Sequence, residues 1–182
     1  CRKLGAERDS GGKIKLAYFC WPVSVDVDAR KIVFAESGER MPIWERILVL
    51  HYLSAEPDVD PDPELIDFKH VPSGGFYYNA YRARTKVPLS RVFGRRPQLL
   101  LEAGRKLGGT PADYGDAAVR LCPFPQVPVI AVVHAGDDEF EPDASILYES
   151  TVSSYFCTED IAVLGGQVAG RLVTEARKLD GL

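Results

Sequence analysis

The chain has 182 residues, 46% of them hydrophobic and 26% charged, with a net charge of −4. That is single-domain size with enough apolar material for one substantial core, and it excludes a disordered chain. Basic residues cluster only at Arg82/Arg84/Lys86 and Arg91/Arg95/Arg96, which argues against nucleic acid as a partner, since phosphate charge must be met by a basic stripe.

The longest apolar runs, such as Val127 to Val133, are too short to span a bilayer, and no charged segment followed by an apolar one opens the chain. The expectation is a cytoplasmic protein with no membrane partner. Numbering begins at Cys1 rather than Met, so residues 1–182 are expected to be one domain, trimmed at its N-terminus relative to the full-length gene product. The four cysteines, Cys1, Cys20, Cys122 and Cys157, lie far apart and form no C-x-x-C pair. They are expected to be reduced and mostly buried, with no disulfide framework.

In chain order, Lys15 to Cys20 is a short run of strand formers, and Val23 to Asp28 alternates with period two. The alternation predicts the valines on one face and Ser24, Asp26 and Asp28 in water. A tight turn at Asp28 to Arg30 leads to a third strand over Lys31 to Ala35, completing a meander. Pro42 then opens a predicted helix over Ile43 to Leu53. It is apolar over much of its circumference, which predicts a central core helix. Glu56 to Pro63 is an acidic, proline-rich surface loop.

Leu65 to Val71 reads as a strand stopped by Pro72. Ser73-Gly74-Gly75 precedes an aromatic helix start at Phe76 to Tyr81. Two further helices are predicted over Leu89 to Phe93 and Pro97 to Leu107, stopped by Gly94 and Gly108-Gly109. Strands follow at Ala117 to Phe124, Val127 to His134 and Ile146 to Tyr148. Thr151 to Phe156 is a short helix, and Glu159 to Leu179 is a long C-terminal one with Thr158 as N-cap. Strands in antiparallel runs and helices in blocks specify an α+β fold, with an antiparallel sheet of about five to seven strands packed against several helices.

The succession Pro42-Ile43-Trp44-Glu45-Arg46, Pro72-Ser73-Gly74-Gly75, Gly136-Asp137-Asp138-Glu139-Phe140-Glu141-Pro142 and Thr158-Glu159-Asp160 resembles the family known as domain of unknown function 3786. The resemblance runs from about Lys13 to about Leu172. It implies anaerobic bacteria and archaea as the setting. It also implies a cysteine-rich iron–sulfur module, of the kind seen with corrinoid proteins, as a fused or separate partner. It supplies no catalytic residue.

Three places could carry chemistry. His134 ends a strand beside Asp137, Asp138 and Glu139, so it could be an oriented base or a metal ligand with Asp137 and Asp138. The same residues equally describe a strand running into a charged turn. Ser73-Gly74-Gly75-Phe76-Tyr77-Tyr78 sets permissive backbone beside three rings, able to wrap a flat ligand or simply to start an amphipathic helix. His70 or His134 could be an axial ligand to a tetrapyrrole metal, although the D-x-H-x-x-G and C-x-x-C-H signatures are absent. His51 reads as a satisfied core or boundary histidine. Cys157 stands near a helix N-terminus, which activates a thiol. Gly165-Gly166-Gln167-Val168-Ala169-Gly170 lies inside the long helix rather than after a strand, so it reads as close packing and not as a dinucleotide loop.

These readings lead to a binding domain for a cofactor, most sharply a corrinoid or haem held by His70, Gly74, Gly75, Phe76, Tyr77 and His134. The alternatives are a metal-dependent enzyme centred on His134, or a protein–protein adaptor using the acidic Asp58 to Glu64 loop and the arginine clusters.

Overall fold

The structure is a computed structural model and describes residues 4–57, 60 and 62–181. Cys1 and parts of the acidic loop (Asp58, Val59 and Pro61) lie outside the described residues. The fold is α+β with two antiparallel sheets rather than one.

The first sheet is a meander of β1 (Glu7–Arg8), β2 (Ile14–Tyr18), β3 (Trp21–Asp26) and β4 (Lys31–Phe34). The period-two pattern holds where the strand does: Val23 and Val25 are buried. Val27 lies beyond the end of β3 and is exposed, so the alternation in sequence outruns the strand. The second sheet has the order β5-β9-β8-β7-β6, formed by β5 (Leu65–Asp67), β6 (Thr110–Ala112), β7 (Ala117–Phe124), β8 (Val127–His134) and β9 (Asp143–Glu149). The β7–β8 register shifts between Leu121 and Phe124. Pro123 sits in that gap with no N–H for the ladder. Its carbonyl instead accepts from the Phe19 amide at 3.0 Å, joining the two sheets.

The helices are α1 (Ile43–Ser54), α2 (Gly74–Arg84), α3 (Lys86–Phe93), α4 (Pro97–Lys106), α5 (Val152–Tyr155) and α6 (Thr158–Leu179). α6 touches α1 through α5 and is the hub of the helical layer. Its buried residues Ile161, Leu164, Val168, Leu172 and Ala176 recur at three- and four-residue spacing, the stripe that a helix packed on one side requires. Carboxylates Glu159 and Asp160 occupy its first turn and Arg177 and Lys178 its last, matching the helix dipole. No helix among the described residues is long and apolar enough to cross a membrane.

Several expectations need correction. The strand at 65–71 stops at Asp67, because the Asp67 carboxylate accepts from the Lys69 and His70 amides and winds Phe68–His70 into a single 3-10 turn. Cys157, not Thr158, occupies the cap of α6, and the Thr158 hydroxyl donates to the Pro72 carbonyl. Cys20, Cys122 and Cys157 are exposed rather than buried. Cys122 follows inward-facing Leu121 on β7 and so faces out, while Cys20 lies in the β2–β3 turn. Finally, α1 buries only Glu45, Leu48, Val49 and Tyr52, leaving Ile43, Trp44 and Leu50 about half exposed. It lies against α6 on one face and is not a central helix.

Candidate ligand-binding site

Trp44, one of the exposed apolar residues of α1, stands at the wall of a groove. A cavity of about 700 Å³ is walled by Trp44 of α1 and by Tyr77, Ala80, Tyr81 and Arg84 of α2. Its α6 side is Glu159, Ala162, Val163, Gly166 and Gln167. Around it stand large apolar side chains with little cover: Phe76 is 93% exposed, Trp44 61% and Tyr77 57%. An apolar pocket of this size with a few polar groups is the usual form of a small-molecule site.

The sequence builds this groove from small residues and one locked tyrosine. Tyr81 stacks on Phe68 at 3.9 Å between ring centroids and its hydroxyl lies 3.0 Å from that of Tyr148. Burial pushes both phenols well above their ordinary range, so they stay neutral donors. A Cβ on Gly165 would lie 2.4 Å from the Tyr148 hydroxyl and 2.7 Å from the Tyr81 ring, so only glycine lets α6 approach this pair. Gly166 is different. Its nearest neighbour would be the Arg84 Cβ at 3.9 Å, so the missing side chain there is open groove. The glycine-rich stretch in α6 thus does two jobs, close packing at 165 and a low floor at 166.

At the N-terminal end of α6, Asp160 is buried and shared. Its Oδ2 accepts from His51 Nδ1 at 2.8 Å and from the Cys157 thiol at 3.2 Å. Asp160 fixes the His51 tautomer and leaves Nε2 as the nitrogen able to meet a ligand. Asp160 is the chain neighbour of Glu159, which lines the groove.

The residues singled out in the sequence separate in space. Tyr77 lines the groove, and Phe76 stands exposed beside it on α2. Gly74 is structural: a Cβ there would lie 1.9 Å from the Phe68 carbonyl oxygen, whereas Gly75 faces open space. His70 is exposed and pairs with Asp67, Nδ1 to Oδ1 at 2.7 Å. His134 ends β8 opposite Asp143. Asp137 accepts from the Glu139 and Phe140 amides at 2.8 and 2.7 Å, which lowers its carboxyl below the usual range. Its Oδ1 closes the turn, and Asp138 and Glu139 are exposed beside it. Among the described residues, no group of three or more His, Cys, Asp or Glu side chains is placed to hold a metal ion.

Trp44, Asp160 and Gly166 did not emerge from the sequence as site residues. The available signal was the excess of apolar positions on α1. A helix buried on part of its circumference leaves apolar residues exposed on the rest, and Trp44 is the one of these that reaches the groove.

Residues 1–171 match the family described as Domain of unknown function (DUF3786). The chain belongs to this family. The matched region contains α1, α2 and α6 as far as Arg171, and so includes every wall of the groove. No curated protein and no solved structure matches the chain.

Proposed function

We propose that this DUF3786 domain is a binding domain for a flat, largely apolar cofactor held in the α1/α2/α6 groove, most sharply a corrinoid or haem. The observation that carries the reading is the groove itself: about 700 Å³, with Trp44 and Tyr77 exposed at its walls over a floor lowered by Gly166. Aromatic walls favour a planar π-system, and exposed rings of this size in water are costly unless something covers them. Arg84 and Glu159 are the charged lining residues, suited to propionate or amide edges. His51, whose tautomer Asp160 fixes, is the histidine best prepared for an axial role. His70 and His134 remain the comparison ligands. An iron–sulfur or corrinoid protein would be the donor or acceptor of such a cargo, and the cytoplasm of an anaerobe its setting.

The test is an absorption titration of the anaerobically purified protein with hydroxocobalamin and, separately, haemin. His51→Ala, His70→Ala and His134→Ala variants run alongside. The reading predicts a saturable band shift near one-to-one stoichiometry, weakened in His51→Ala. Unchanged spectra with both compounds contradict it.

An adaptor is the second reading, favoured by Phe76 at 93% exposure. It predicts no spectral change and a loss of partner capture in Phe76→Ala.

A further inference from the structure

A second cavity, of about 370 Å³, opens beside the four-stranded sheet. Its apolar lining is Trp21 and Pro22 of β3 and Phe34 of β4; its polar lining is Glu36, Ser37 and Glu39 from the turn after β4, and Arg171 from α6. The volume lies toward the lower end of the range for small-molecule sites, roughly 300–1,000 Å³.

Arg171 is held in place before any ligand arrives. Its guanidinium carbon lies 4.6 Å from the Trp21 ring centroid, 5.2 Å from Phe19 and 5.3 Å from Tyr18. Nη2 donates to Glu45, while Nε is buried with no hydrogen-bond partner. A guanidinium fixed by three rings and one carboxylate loses little freedom on meeting an anion. The Arg171 charge is already offset by Glu45, and Glu36 and Glu39 add two carboxylates to the cavity. The turn that carries them is set by Gly38, at φ +69, and by the Ser37 hydroxyl accepting from the Glu39 amide at 3.2 Å.

A simple anion would meet Arg171 but be repelled by Glu36 and Glu39. A simple cation would meet the carboxylates and leave Arg171 unused. A molecule with both charges and an apolar body uses every part of the lining. We propose that this cavity is a binding site for a free α-amino acid with an apolar side chain. Its carboxylate meets Arg171, its ammonium meets Glu36 and Glu39, and its side chain rests on Trp21, Pro22 and Phe34. The proposal is independent of the groove.

The chain's two tryptophans make the test direct, since Trp44 belongs to the groove and Trp21 to this cavity. In a Trp44→Phe variant, Trp21 is the remaining tryptophan reporter. Its emission is titrated with L-leucine and L-phenylalanine to about 10 mM, beyond the weakest affinity of interest. Leucine's two half-molecules, 3-methylbutylamine and 4-methylpentanoate, are run beside them. The expected result is a saturable change with an amino acid, at least about tenfold weaker with either half-molecule. Arg171→Lys could disturb folding, so the binding variant is Glu36→Gln/Glu39→Gln, in an exposed turn. It should weaken binding at least about tenfold with an unchanged unfolding midpoint. No saturable change with either amino acid overturns the proposal. So does a half-molecule that binds as tightly as leucine, or undiminished binding by the double variant.

Discussion

The same two helices, α1 and α6, are cross-linked twice, and the two links differ in kind. At one end, Glu45 and Arg171 form a pair whose carboxylate side chain is only 5% exposed, with a second carboxylate oxygen and the Arg171 Nε left without partners. At the other end, His51 is 53% exposed and shares the buried Asp160 with Cys157. Burial decides what each link does. The inner pair is costly to break because either partner alone would be an uncompensated charge out of water. The outer one keeps a histidine nitrogen within reach of solvent and costs the fold little. The closed end therefore carries most of the stability at stake, and the open end is where a side chain can be removed at little cost to the fold.

The largest effect should come from breaking the closed end. Arg171→Ala strands the Glu45 carboxylate and should destabilise the protein by about 4 kcal/mol, read from the denaturant midpoint.

The pH dependence of that pair sharpens the point. Burial pushes the Glu45 carboxyl above its usual range, with Arg171 pulling the other way and losing. A raised folded-state value means the native protein holds this proton more tightly than the unfolded chain does. The stability Glu45 contributes is then present at low pH and lost as pH rises through the folded-state value. The stability gap between the wild type and Glu45→Gln should accordingly narrow as pH rises above the ordinary glutamate range, about pH 4. A gap that widens would mean that the ion-pair attraction outweighs desolvation.

Next in size is Gly165→Ala, between the two links along α6. Its Cβ would enter the Tyr81–Tyr148 contact, and the overpacking should cost about 2 kcal/mol despite the better helix propensity of alanine. Smallest is His51→Ala at the open end. Asp160 keeps its bond from Cys157, so thermal unfolding should register a loss of only about 1 kcal/mol.

How much of this was legible in the sequence follows the same division. Period-two and period-3.6 patterns and continuous apolar runs are local, so β3, β7, β8 and α6 could be read directly from residues such as Val23 and Val25, the Val127-to-Val133 run and the Ile161-to-Ala176 stripe. The two-residue β1 and three-residue β6 are held by their neighbours β2 and β7. They are too short for any pattern to show. The site was harder still. Tyr77 could be named because glycines and rings lie together in the chain. Trp44, Asp160 and Gly166 gain their roles only when α1, α2 and α6 meet, and no spacing along the chain encodes that meeting. In sequence His51 read as a core or boundary histidine and His70 and His134 as candidate ligands; the carboxylate partners, Asp67 for His70 and Asp160 for His51, show only in space.

The measurement that bears most directly on the groove is the haemin and hydroxocobalamin titration of Gly166→Leu, paired with its unfolding midpoint. Position 166 has room for a Cβ, its nearest neighbour being the Arg84 Cβ at 3.9 Å. Replacing glycine inside a helix should stabilise the fold by about 0.5–1 kcal/mol. The same side chain would occupy the groove floor. The account predicts a variant at least as stable as the wild type that no longer shifts the tetrapyrrole spectrum. A wild-type titration in that stable variant would contradict the groove as the binding site.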